Sequence, residues 1–63
     1  MDDWANARVR LTRPMRDSAR ARGTVVEVLR DEEGHVITVG VRWDHRPGVV
    51  ILFLARDLTR IER

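Results

Sequence analysis

Between Val36 and Trp43 the chain alternates: Ile37, Val39, Val41 and Trp43 are apolar, and Thr38, Gly40 and Arg42 stand between them. A period of two means a strand with one face against a core and one face in water, and it excludes an amphipathic helix over the same residues. Val9 and Leu11 repeat the pattern between Arg8, Arg10 and Thr12, and Leu58-Thr59-Arg60-Ile61 reads as a short closing strand. Thr24-Val25-Val26-Glu27-Val28-Leu29 is β-branched and opens after Gly23. Helices longer than a turn find no support anywhere in the chain.

The punctuation between these runs sets the connections. Pro14 ends ladder pairing after the first strand, and Met15 to Arg22 is polar, arginine-rich and without strand pattern, so it reads as a long loop. Asp31-Glu32-Glu33-Gly34 reads as a hairpin turn with glycine at the position that commonly takes positive φ. Asp44 to Gly48 ends in Pro47-Gly48, suited to the centre of a type II turn. Arg56-Asp57 leaves room for one turn before the closing strand. The strand order predicts an all-β fold, a small five-stranded SH3-like barrel with a long Arg-rich first loop and a one-turn connection before the last strand. Residues 1–7 read as an N-terminal arm with freedom to flex, and residues 8–63 as a single barrel domain.

Val49 to Ala55 breaks the alternation with seven consecutive apolar residues. On a strand this places large side chains on both faces. A 63-residue barrel has no second layer to cover the outer one, so Val50, Ile51, Leu52 and Phe53 are expected to divide between the core and an interface with a second copy or a larger complex. Trp4, in an otherwise polar arm, is placed to cap the same surface.

Charge is uneven rather than large. The formal net charge is +2, lysine is absent, and six of the twelve arginines lie between Arg8 and Arg22 against the single Asp17. Arg10, Arg13, Arg16, Arg20 and Arg22 are candidate phosphate contacts for a nucleic acid, with Trp43 or Trp4 as a stacking surface. The plainer reading is a solvated loop, and the parity of Trp43 puts it in the core.

Little in the chain can do covalent chemistry. Cysteine is absent, which removes thiolate nucleophiles and Cys-ligated metals and fits a reducing, cytoplasmic setting. His35 and His45 lie ten residues apart at opposite ends of one strand and cannot converge on a metal in one copy. Asp44 beside His45 reads as a turn former, and Ser18 has no base beside it. Catalytic residues, metal ligands and cofactors are therefore expected to be none. The N-terminus has no basic-then-apolar leader, and its longest apolar run is far short of a membrane span.

Val9-Arg10-Leu11-Thr12-Arg13-Pro14, Gly23-Thr24-Val25-Val26, Val41-Arg42-Trp43-Asp44 and Phe53 to Ile61 together resemble the SH3-like barrels called electron-transport accessory proteins. That group includes the PsaE subunit of photosystem I, the variable chain of ferredoxin–thioredoxin reductase, the nitrile hydratase β-subunit and the plasmid-borne type II dihydrofolate reductases. The resemblance spans Val9 to Ile61 and consists of turn glycines and buried valines, so it bears on architecture more than activity. With the doubly apolar strand and the lack of catalytic groups, the first expectation is a non-enzymatic, self-associating or accessory-subunit docking module. The alternatives are a small nucleic-acid-binding barrel and an oxidoreductase of the type II reductase kind. That reductase's strand motif Val-Gln-Ile-Tyr falls on Val50-Ile51-Leu52-Phe53, so the ligand-holding glutamine is Ile51 here, and Leu11 falls near the family's ligand-attracting lysine.

Overall fold

The computed structural model describes residues 4–16 and 19–61. Five strands follow one another: β1 (Arg8–Leu11), β2 (Gly23–Arg30), β3 (Val36–Trp43), β4 (Val50–Leu54) and β5 (Leu58–Ile61). A single 3-10 turn, Ala55–Asp57, joins the last two. No α-helix occurs among the described residues. The fold is all-β, with every pairing antiparallel and the strands in the order β4-β3-β2-β1-β5.

That order dictates a curled sheet. β4 and β5 are its two edges, and in a flat sheet the four intervening spacings would hold them about 19 Å apart. Three residues link them, a reach of about 14 Å at full extension. The sheet therefore bends back on itself around one core. Val9, Val25, Val39 and Val41 are fully buried there and Trp43 and Leu58 nearly so; Ile51, Phe53, Val28, Val36 and Leu11 pack around them. The Trp43 and Phe53 rings meet edge to face, with centroids 5.5 Å apart, the arrangement that aromatic quadrupoles favour.

Two irregularities in the β2–β3 ladder decide which side chains face inward. Val25 pairs with Val41, but the next pair is Glu27 with Gly40, so Val26 is an extra residue. This bulge turns Glu27 outward and Val28 inward, which strict alternation would have reversed. Near the hairpin, Leu29 pairs with Thr38 and Arg30 with Val36, leaving Ile37 as the extra residue. The alternation of β3 predicts Ile37 on the core face, but Ile37 is 46% exposed and Val36 packs against the core in its place.

Gly23 leaves no room for a side chain. A Cβ there would lie 2.6 Å from Val41 Cγ1, 2.9 Å from the Trp43 ring and 3.0 Å from the carbonyl oxygen of Arg42. Gly34, in the β2–β3 turn, has φ +88°, a conformation that costs glycine nothing.

The described part of the N-terminal arm lies along β2. Asn6 N–H donates to Val25 O (3.1 Å), and Val25 N–H donates to Ala7 O (2.9 Å). Trp4 packs against the core cluster, with the Arg60 guanidinium 4.8 Å from its ring centroid. It therefore does not cap β4, because Arg60 of β5 and the core cluster take up the indole.

Candidate functional site

The cross-strand register sorts β4 into two faces. Val25–Val41–Ile51 and Val28–Val39–Phe53 form inner rows across β2, β3 and β4. The outer rows are Thr24–Arg42–Val50, Glu27–Gly40–Leu52 and Leu29–Thr38–Leu54. Of the four residues expected to divide, Ile51 and Phe53 turn to the core and are partly buried, and Val50 and Leu52 turn outward. Leu52 is 56% exposed, Val50 44% and Leu54 39%. Leu29 extends this apolar face at the far end of its row, and Ile37 borders Leu54 in a shared notch. Gly40 lets the face close up: a Cβ there would sit 3.0 Å from Val50 Cγ1 and 3.2 Å from Glu27 Cβ.

The arginine segment splits into engaged and unengaged side chains. Arg8 donates to both oxygens of Asp44 and to Thr24 Oγ1. Arg10 donates to the carbonyl of Leu11 (3.2 Å), and Arg22 donates to that of Ala21 (2.9 Å), so each folds back on its own backbone. Arg13, Arg16 and Arg20 are exposed. None of the three has a hydrogen-bond or ion-pair partner among the described residues. Trp43 is 4% exposed, so it offers no stacking surface. Asp17 and Ser18 lie outside the described residues.

Both histidines are exposed, and they stand at the two ends of β3. An eight-residue strand between them spans about 27 Å, which keeps them off a common ligand. The ligating atoms of Asp31, Glu33 and His35 do come within 4.8 Å of one another, a grouping whose only sequence signal is the Asp-x-Glu-x-His spacing. The Asp31 carboxylate is already engaged there. Its Oδ1 accepts the backbone N–H groups of Glu33 and His35 at 2.9 Å each. Those bonds, the one from His35 foremost, hold its pKa below the usual carboxylate value. The group thus works as the hydrogen-bonded frame of the hairpin turn.

Two cavities meet at Arg56, a residue that no sequence pattern singles out. Val36, Ile37, Leu54, Ala55 and Arg56 line a notch of about 270 Å³. Thr12, Arg13, Arg56 and Asp57 line a polar cleft of about 380 Å³. No helix among the described residues is long and apolar enough to cross a membrane. No protein-family model, curated protein or solved structure matches the chain.

Proposed function

We propose that the chain is a non-enzymatic, SH3-like docking barrel of the cytoplasm that self-associates through the outer face of β4. The supporting observation is the outward trio Val50, Leu52 and Leu54, bordered by Ile37 and with Leu29 across Thr38 in the same outer row. Scattered single exposed apolar side chains are ordinary on a monomer, whereas several grouped on one face often mark a functional surface. A standard interface takes about 800 Å² from each partner, with a little over half of it apolar. The patch thus supplies the apolar centre of one such interface, with Thr38 inside it and Thr24, Arg42 and Glu27 as polar neighbours in the adjoining rows. A face carrying both an arginine and a glutamate is compatible in charge with its own copy, which favours a second copy as the occupant.

The inward direction of Ile51 and Phe53 supports the non-enzymatic reading, since neither side chain is directed toward a ligand shared between copies. Sedimentation at micromolar concentration tests the proposal: a dimer or larger species is expected, and a wild-type monomer across the micromolar range overturns it. Purified protein is expected to show no NADPH-dependent reduction of dihydrofolate.

Nucleic-acid binding is the second reading, favoured by the unpartnered Arg13, Arg16 and Arg20. With Trp43 buried and Trp4 packed against the core under the Arg60 guanidinium, it would rest mainly on phosphate contacts and show little sequence preference.

A further inference from the structure

Arg56 stands in the 3-10 turn where β4 ends, and it is the one residue that borders both cavities. The walls of the polar cleft are fixed by backbone. Thr12 N–H donates to Asp57 O at 2.9 Å, the Thr12 and Thr59 hydroxyls are 2.8 Å apart, and Leu11 pairs with Leu58 just behind them. Arg13 and Arg56, 43 residues apart in the sequence, are thereby brought to one cleft, and neither has a hydrogen-bond or ion-pair partner among the described residues. Across Arg56, the notch between Val36, Ile37, Leu54 and Ala55 has room for one or two aliphatic side chains.

We infer that this double cavity binds an extended, acidic peptide segment of a partner protein, seating an apolar side chain in the notch and a carboxylate, two residues along, against Arg56 and Arg13. Side chains two apart on an extended chain lie about 6.6 Å apart on the same face, comparable to the reach of the arginine between the two cavities. Guanidinium groups recognise carboxylates through paired, charge-assisted hydrogen bonds. Asp57, on the same cleft, can accept a backbone N–H of the peptide. The notch opens at the end of β4, an edge strand paired on one side only, so the peptide backbone can continue along an edge that already offers hydrogen-bonding groups. No aromatic among the described residues lines either cavity, so a nucleobase finds nothing to stack on there, and the notch is too small for an acyl chain. The peptide site shares only Ile37 and Leu54 with the self-association face and does not depend on it.

The test is a titration of the ¹⁵N-labelled full chain with a glycine–serine peptide carrying one leucine and one glutamate two residues apart. Shift changes centred on Thr12, Arg13, Ile37, Leu54 and Arg56 are expected. Replacing the peptide's glutamate by glutamine, or making Arg56→Gln or Arg13→Gln in the protein, should weaken binding about tenfold, the scale of a charged hydrogen bond. Replacing the peptide's leucine by alanine should weaken it severalfold. Both arginines are exposed, so the variants are expected to keep the wild-type spectrum elsewhere. Leu52→Arg should lower the sedimenting mass and leave peptide affinity unchanged or raised, because it frees Ile37 and Leu54, whereas Arg56→Gln should lower peptide affinity without changing the sedimenting mass, which separates this site from self-association. The inference is overturned by any of three results: no shifts at millimolar peptide, equal affinity for the glutamine peptide, or displacement of the peptide by a single-stranded oligonucleotide that binds the same cleft more tightly.

Discussion

Arg8 grips Asp44 with both prongs of its guanidinium, at 2.8 and 2.6 Å, across 36 residues of sequence. The same guanidinium reaches Thr24 Oγ1 at 3.0 Å, so one side chain ties β1 to β2 and to the turn that follows β3. Asp44 N–H closes the junction by donating to Arg22 O at 2.9 Å. In the sequence Asp44 is a turn residue beside Pro47-Gly48, and in the fold it is also the anion that fixes the first strand.

This pair sets the acid limb of stability. Hydrogen bonding from Arg8, with its positive charge and that of His45 adding to it, holds the Asp44 pKa below its ordinary value. Asp31 is shifted the same way by the hairpin N–H groups. A folded pKa below the unfolded one, which is about 3.9, means that the contribution is fully present above that value and is lost as pH falls through the folded pKa. Melting temperature should therefore hold between pH 7 and 5 and drop below about pH 4. Asp44→Asn should melt lower than wild type at pH 7 and converge with it near pH 2. A constant gap between the two proteins across that range would mean the contact stabilises through shape rather than charge.

Gly23→Ala should destabilise strongly. The added methyl meets Val41, Trp43 and the Arg42 carbonyl at 3.0 Å or less, and two of the three are core side chains with no room to retreat. Overpacking of this kind costs about 1–3 kcal/mol, a large share of what a domain this small has to lose. A urea titration would read it as a lower midpoint with an unchanged slope, and an unchanged midpoint would show that the β2–β3 ladder gives way more easily than its contacts imply.

Arginine at two adjacent positions separates core from surface. Ile51→Arg removes a side chain that pairs with Val41 and packs against the buried core cluster and puts a charge there, at a cost of about 3 kcal/mol or more. It should unfold the chain. Leu52→Arg falls on the outer row beside Gly40, where a substitution changes monomer stability by about 0.5 kcal/mol or less, and should only lower the sedimenting mass. Loss of the native circular dichroism spectrum in Leu52→Arg, with Ile51→Arg intact, would reverse the assigned faces.

All five strands, the hairpin over Asp31 to Gly34 and the one-turn link before β5 are legible in the sequence because each is a local signal: alternation, β-branching, or a turn residue. Ile37 shows where local signals stop. Its parity puts it inside, but the extra residue that reverses it is a property of the pairing between β2 and β3, and nothing near Ile37 announces it. Val28 is the same case from the other bulge. The doubly apolar character of β4 was plain, yet which half faced out depended on its register with β3. Arg56 was invisible because its meaning comes from Arg13, brought near it by the pairing of β1 with β5.

The loop arginines make the last prediction, and the structure narrows it to three of the five candidates. Arg10 and Arg22 are engaged with nearby carbonyls, whereas Arg13, Arg16 and Arg20 have no partner among the described residues. If these three neutralise phosphates, the logarithm of affinity should fall with the logarithm of salt with a slope of about −2 on single strands and about −3 on duplex. Each single change to glutamine at Arg13, Arg16 or Arg20 should remove about one contact from that slope, and Arg10→Gln and Arg22→Gln should leave it nearly unchanged. Base composition should matter little, since Trp43 is buried and Trp4 is packed against the core and the Arg60 guanidinium. A slope that stays the same in all five variants would place any nucleic-acid contact elsewhere on the barrel, and no binding at low salt would leave the loop as a solvated connection between β1 and β2.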